Sequence, residues 1–230
     1  MFEFKLNDKF VTAGFSDRFN GVSKPPYQSL NLGDHVGDDS ANVAHNRKNL
    51  ANFIGAKKIK FMNQTHSDIV KIIQHEDDEP KECDGVITNL KGVALCVMVA
   101  DCSPVLIYDA SHQVIAALHA GRAGVMAKIC TKAVTMMQSV FGSHPKDLIV
   151  FVGPNIKSSC YEIGKLDIGE FERFKVGENF DMNAALKDEF SKLDIKNLYF
   201  DPTCTHCDKR YFSYRKEGIT GRFAGVIMLK

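Results

Sequence analysis

Cys102 and His119 carry the most specific chemical signal in the chain. They flank two apolar runs, Val105–Tyr108 and Val114–Leu118, which are joined by the polar stretch Asp109-Ala110-Ser111-His112. Short apolar runs with such a link read as a β-hairpin. A turn centred between residues 110 and 111 sets Cys102 opposite His119, with Cβ atoms about 5 Å apart. That spacing serves two chemistries: a shared metal ion, or a thiolate–imidazolium pair. A slip of one residue would send the two side chains to opposite faces.

His66 is the third candidate, in the turn Gln64-Thr65-His66-Ser67 after another apolar run. Three protein ligands and one open position are the usual make-up of a catalytic zinc site. Taken singly, a buried Cys or His is more often a packing residue. The trio gains from standing at strand ends beside Gly, Pro or polar residues, where functional groups collect.

Other features are weaker. Cys204-Thr-His-Cys207 has the spacing of half a zinc site, but no second C-x-x-C completes it. Asp208 follows where a haem-attachment motif needs histidine. His75, His112 and His144 read as loop residues. Gly-rich phosphate loops, Gly-x-Ser-x-Gly and the H-x-E…P-C-x-x-C signature of zinc deaminases are all absent.

The elements that must position these residues follow from periodicity. The first stretch, to about Gly37, reads as short strands and ordered loops. A helix capped by Asp39 or Ser40 runs to Gly55, with Val43, Leu50 and Ile54 on one face. Arg47 lies on that same stripe, so it needs a carboxylate or an anionic ligand as partner. Lys58–Asn63 and Asp68–Gln74 read as strands on either side of the His66 turn. Gly92–Ala100 reads as a strand buried on both faces. A helix is expected from about Gly124 to Val140, a strand over Leu148–Val152, one or two helices over 165–193, and a closing strand over Phe223–Leu229. Strands and helices mix without βαβ alternation. The expected class is α+β, with mixed β-sheets packed together and flanked by helices, in a single domain over residues 1–230.

Composition narrows the function. The 230 residues are 44% hydrophobic and 25% charged, an ordinary globular balance. Lys and Arg number 29 against 28 Asp and Glu, so no global field favours nucleic acid or an anionic membrane. No apolar run is long enough to span a bilayer, and Met1–Phe10 lacks the order of a signal peptide. The seven cysteines, an odd number with several in apolar runs, read as reduced thiols and place the chain in the cytoplasm by default. A small-molecule partner is expected, with oligomeric state left open.

Together these segments resemble the YfiH family, also called the laccase-domain or multicopper polyphenol oxidoreductase family. The resemblance spans nearly the whole chain. It is carried by Ser29-Leu-Asn-Leu-Gly33, His35-Val-Gly-Asp38, Asn46-Arg47, Gln64-Thr-His66 and Cys83-Asp-Gly-Val-Ile-Thr88. It continues through Ala100-Asp-Cys102-x-Pro-Val, His119-Ala-Gly121, Gly153-Pro154, Cys160-Tyr-Glu162, Tyr211-Phe-Ser-Tyr-Arg215 and Gly221-Arg222. The resemblance implies zinc held by His66, Cys102 and His119, in a fold also similar to the cytotoxic necrotizing factors. It further implies purine nucleoside phosphorylase activity, with adenosine deaminase and methylthioadenosine phosphorylase activity beside it. On that footing Arg47 and Arg215 are expected to pair with phosphate, and Asn31 and Gln64 to bond ribose or base. Asp101 and Glu162 are unsupported candidates for the proton donor. The family usually has Trp-Arg after His-Ala-Gly, whereas Arg122-Ala123 stand here and the chain has no tryptophan, so Arg122 carries little weight.

Two other readings compete. A copper-dependent, laccase-like polyphenol oxidase fits one label of the family, since copper also takes imidazole and thiolate. Yet a multicopper cluster draws on many histidines, commonly in His-x-His pairs, and the eight here include no such pair. A Cys–His hydrolase built on Cys102 and His119 is the other, and a purely structural metal site ranks last.

Overall fold

Apolar residues on both faces of Val93–Val99 need cover on both sides, and the fold supplies it. The computed structural model describes residues 2–230. One mixed sheet has the order β1 (Phe2–Asn7), β2 (Val11–Ser16), β13 (Phe223–Leu229), β6 (Val93–Val99), β3 (Lys58–Phe61). The second has the order β12 (Asn197–Phe200), β9 (Ile149–Val152), β7 (Ser103–Asp109), β8 (Val114–Ala120), β5 (Gly85–Thr88), β4 (Val70–Ile72). A small hairpin pairs β10 (Lys175–Val176) with β11 (Asn179–Phe180). The helices are α1 (Ser40–Ile54), α2 (Arg122–Met126), α3 (Ile129–Phe141), α4 (Met182–Lys192) and the single turn α5 (Tyr214–Glu217).

The alternation of each strand assigns its residues to layers. From β6, Leu95, Val97 and Val99 enter the core between the sheets, joined by Leu106 and Tyr108 of β7 and Ala117 of β8. Ala94, Cys96 and Met98 face the other way, toward Leu50 and Ile54 of α1. Val105, Ile107, Ala116 and Leu118 leave the second sheet outward, against Ile129, Val134 and Met137 of α3 and Leu186 and Phe190 of α4. The result is four layers, helix on sheet on sheet on helices, as expected for an α+β chain with mixed sheets.

Several local expectations meet their physical cause here. Asp39 caps α1 by accepting from the Ala41 and Asn42 amides, and Gly55 ends it at φ 73°. The expected single helix after Gly124 is instead two, because Lys128 takes φ 60° and turns the chain between α2 and α3. The two strands around His66 do not pair with each other. β3 belongs to the first sheet and β4 to the second, so the turn is a crossing between sheets.

The hairpin register is also corrected. Pro104 faces His119 and Ser103 faces Ala120, two residues away from the expected alignment. The cause is a turn centred one residue later, over 110–113 between the paired Asp109 and Val114: the Asp109 carboxylate takes the Ser111 and His112 amides and the His112 ring, and Gln113 sits at φ 52°. An even slip keeps every side chain on its expected face. Cys102 and His119 therefore still meet, as diagonal rather than opposed neighbours.

Candidate metal centre

Two of the three ligand candidates lie where the chain passes between sheets, and the third at the end of a strand. Cys102 ends the link from β6 to β7, His66 lies in the crossing from β3 to β4, and His119 is the penultimate residue of β8. By its alternation with Ile115 and Ala117, His119 points to the space between the sheets. The ligand atoms of the three residues all lie within 4.8 Å of one another. The Cys102 Sγ is 4.0 Å from His66 Nε2, and the two imidazoles meet edge to face at 4.7 Å.

Asp84, just before β5, holds the cluster from behind. Its buried carboxylate accepts from the amides of Thr65, His66 and Ser67 at 3.1, 3.0 and 2.7 Å. It also accepts from the Thr65 and Ser67 hydroxyls and meets His119 Nδ1 at 2.7 Å. Three converging amides curl the turn and allow His66 its left-handed φ of 58°. The bond at Nδ1 leaves His119 Nε2 as the free ligand atom, the carboxylate–histidine arrangement common behind metal sites. The sequence offers only a weak signal for Asp84, its place in Cys83-Asp-Gly just before a strand.

Charge binds the group together. Burial opposes ionisation of the Cys102 thiol, but His119 and His66 outweigh it and bring it down to about 6. Burial likewise opposes protonation of His119, but Cys102 and Asp84 raise it to about 9. Asp84 is desolvated too, yet its bonds to His119 and Ser67 hold it far below the usual carboxylate range. Free of metal, the site is a thiolate–imidazolium pair between about pH 6 and about pH 9. One thiolate and two imidazoles fit zinc or copper.

Gly121 gives the cluster its room. A Cβ there would lie 3.1 Å from Cys102 Sγ and 3.2 Å from His66 Cδ2. Its φ of −75° suits any residue, so the need for glycine is steric. Gly121→Ala is expected to fold normally and to lose roughly tenfold or more in metal affinity, on the scale of other near-site changes. Chelator competition beside a thermal melt would show it; unchanged affinity would remove Gly121 from the site.

The cluster lines a cavity of about 700 Å³, within the usual range for small-molecule sites. Arg122, Arg215, Arg222, Tyr161, Tyr214 and His35 share its lining. Arg122, given little weight from sequence, is thus among them. Gln64 lines it as well, but its amide is tied to both the N–H and the C=O of Met98, at 2.8 and 2.7 Å. Asn31 is fully buried. It donates to Gly33 O and Asp38 and accepts from the Gly33 and Arg222 amides. Arg47 lines an adjoining cavity with Asp34 and His35. Its guanidinium stacks on Phe61 at 4.0 Å, bonds Leu32 O at 2.9 Å and pairs with Asp34 at 3.2 Å. Asp101 lines the main cavity, but its carboxylate accepts from the Thr205 hydroxyl and the Arg215 amide. Glu162 is exposed and is not among the lining residues. Tyr161 and Arg222 were not singled out from sequence; each stands inside a quoted motif, which was the available signal.

Two packed mixed sheets with a His–Cys–His cluster that could hold a metal ion define a protein of the α+β class. The family described as multi-copper polyphenol oxidoreductase laccase matches residues 12–230, and the chain belongs to it. A Corynebacterium glutamicum protein named purine nucleoside phosphorylase is 39% identical, over 94% of this chain and 93% of its own. Bacillus subtilis YlmD, also named purine nucleoside phosphorylase, is 29% identical over 97% and 90%. Among solved structures, Bacillus licheniformis hypothetical protein YfiH superposes with TM-score 0.88 at 29% identity, covering 99% of both chains. A Neisseria meningitidis protein superposes with TM-score 0.90 at 28% identity, covering 100% of this chain and 99% of that one. No helix among the described residues is long and apolar enough to cross a membrane.

Proposed function

We propose that the chain is a zinc-dependent purine nucleoside phosphorylase that also deaminates adenosine and cleaves methylthioadenosine. One observation carries this reading: a three-ligand cluster and three arginines share one cavity of nucleoside size. The names of the relatives agree with it. His66, Cys102 and His119 are the ligands, and Asp84 fixes the orientation of both histidines. A bound zinc supplies concentrated positive charge that lowers the pKa of an oxygen nucleophile.

Arg122, Arg215 and Arg222 bind phosphate, for which planar guanidinium groups are well shaped. In phosphorolysis a phosphate oxygen bonds to ribose C1′ as the C1′–N9 bond breaks, and the departing purine takes the bonding pair and then a proton. In deamination water replaces the adenine amino group, giving inosine and ammonia. The rings of Tyr161 and Tyr214 offer stacking faces for the base. Asn31 and Gln64 act as positioning residues: Asn31 holds the Arg222 backbone and Gln64 pins the end of β6. Arg47 serves the adjoining cavity.

The test is an assay of adenosine, inosine and methylthioadenosine with and without phosphate. Base release that requires phosphate, and deamination that does not, are both expected to vanish on chelation and return with zinc. Activity that survives chelation but dies on alkylation would favour the Cys–His hydrolase. Phenol oxidation by a copper form, with no nucleoside turnover, would favour the oxidase. Arg222→Met is expected to raise the phosphate KM roughly tenfold or more, the loss of one charge-assisted pair. Arg47→Ala is expected to leave it within about twofold, since its guanidinium lines the adjoining cavity and not the one that holds the cluster.

A further inference from the structure

The half-motif Cys204-Thr-His-Cys207 acquires a partner in three dimensions. Cys160 is remote in sequence, yet its Sγ lies 3.5 Å from the Sγ of Cys207. A ring nitrogen of His206 joins them, and the three ligand atoms lie within 4.8 Å of one another. We infer that Cys160, His206 and Cys207 form a second, separate cation site that takes zinc.

The geometry favours shared coordination. Two thiolates on a tetrahedral zinc with bonds of ~2.3 Å lie about 3.8 Å apart. The observed 3.5 Å is close to that, and far from the ~2.05 Å of a disulfide. The scaffold is fixed before any cation arrives. The Cys207 and Asp208 amides both bond Cys204 O, at 3.2 and 3.0 Å, which curls the loop and presents His206 and Cys207 together. Thr205 donates from its amide to Asn155 O, and the Lys157 amide reaches Cys204 Sγ at 3.4 Å, so this loop lies along residues 155–157. Cys160 follows in the 3₁₀ turn Ser158–Cys160. Two sulfurs and one imidazole leave one coordination position, for water or for Cys204, which neighbours Cys207.

The site would join two parts of the substrate cavity. Tyr161, next to Cys160, lines that cavity. His206 O accepts from Lys216 at 3.1 Å, in the helical turn that also carries Arg215. A cation here would rivet the Tyr161 loop to the segment leading into α5.

Zinc stoichiometry tests this in full-length protein, kept reduced and equilibrated with buffered zinc. Two equivalents per chain are expected, falling to one in His66→Ala and to none in His66→Ala/Cys207→Ser. With cobalt in place of zinc, His66→Ala should keep a thiolate charge-transfer band, which Cys207→Ser in the same background removes. His66 and Cys207 are both exposed, so neither change disturbs the core. One equivalent in the wild type, with none in His66→Ala, would overturn the proposal. So would a zinc in His66→Ala that neither Cys160→Ser nor Cys207→Ser removes, or a Cys160–Cys207 disulfide in place of metal under reducing conditions.

Discussion

Cys102→Ala is expected to abolish metal retention at the His66–Cys102–His119 cluster and to cut turnover more than about a thousandfold while the protein stays folded. Cys102 is the anionic member of the cluster, so its loss leaves two imidazoles to hold the cation. Losing a metal's several kcal/mol of transition-state stabilisation corresponds to that factor at 1.36 kcal/mol per tenfold. The fold should survive, because Cys102 is half-buried at the edge of the inter-sheet core, and truncating such a side chain costs about 1 kcal/mol. Variant protein that melts like wild type but carries no activity is the expected result. Unfolding would mark the site as structural, and full activity would remove Cys102 from the chemistry.

The same residue makes a pH prediction for metal-free protein. Its thiol titrates at about 6, against 9.0 for an ordinary cysteine. Alkylation should therefore rise through about pH 6 and plateau, since the thiolate is the nucleophile. A group lowered on folding stabilises the fold above its ordinary pKa and loses that contribution as pH falls through the folded value. A group raised on folding, here His119, does the reverse and loses its share as pH rises through about 9. The pair is thus jointly charged between those limits, and zinc should protect Cys102 throughout. A midpoint near that of an ordinary thiol would show that His119 does not govern it.

What could be read from sequence, and what could not, divides along physical lines. The doubly apolar run around Val93–Val99, the capped helix ending at Gly55 and the closing strand Phe223–Leu229 were all legible, because periodicity and punctuation are local. The meeting of Cys102 and His119 was legible for a subtler reason: the turn estimate missed by two residues, and an even error preserves the face. What sequence could not give were contacts made across long separations. Asp84 meeting His119, Asn31 holding the Arg222 amide and Cys160 reaching Cys207 all depend on which sheet each loop joins. The inward stripe position of Arg47 does call for a partner. The partner proved to be Asp34 and the Leu32 carbonyl, an arrangement internal to the chain.

Asp84→Asn should do more damage than any other change outside the three ligands. The carboxylate is fully buried and faces donors only: three amides, two hydroxyls and the His119 ring. An asparagine keeps one acceptor oxygen but turns an NH2 toward N–H groups, which forces two donors together and deprives others of partners. The left-handed turn at His66 then loses the bonds that hold it, and the His119 ring loses the group that aims Nε2 at the cluster. Both imidazole ligands are disturbed at once, so zinc affinity should fall at least 10–100-fold, the usual scale for one such partner. Loss of a buried charged acceptor should also cost about 3 kcal/mol, seen as a fall in Tm of roughly 6–12 °C in a chain of this size. Ser67→Ala supplies the control, since it removes one donor to the same carboxylate and should cost only about 1 kcal/mol with little change in metal affinity. Acid does not imitate the mutation over the usual range. Asp84 is held far below its ordinary 3.8, so its support is lost only as pH falls through that lower value. Metal loss on mild acidification should instead follow protonation of the ligands themselves. An Asp84→Asn protein that binds zinc as tightly as wild type would mean that the two histidines need no common anchor.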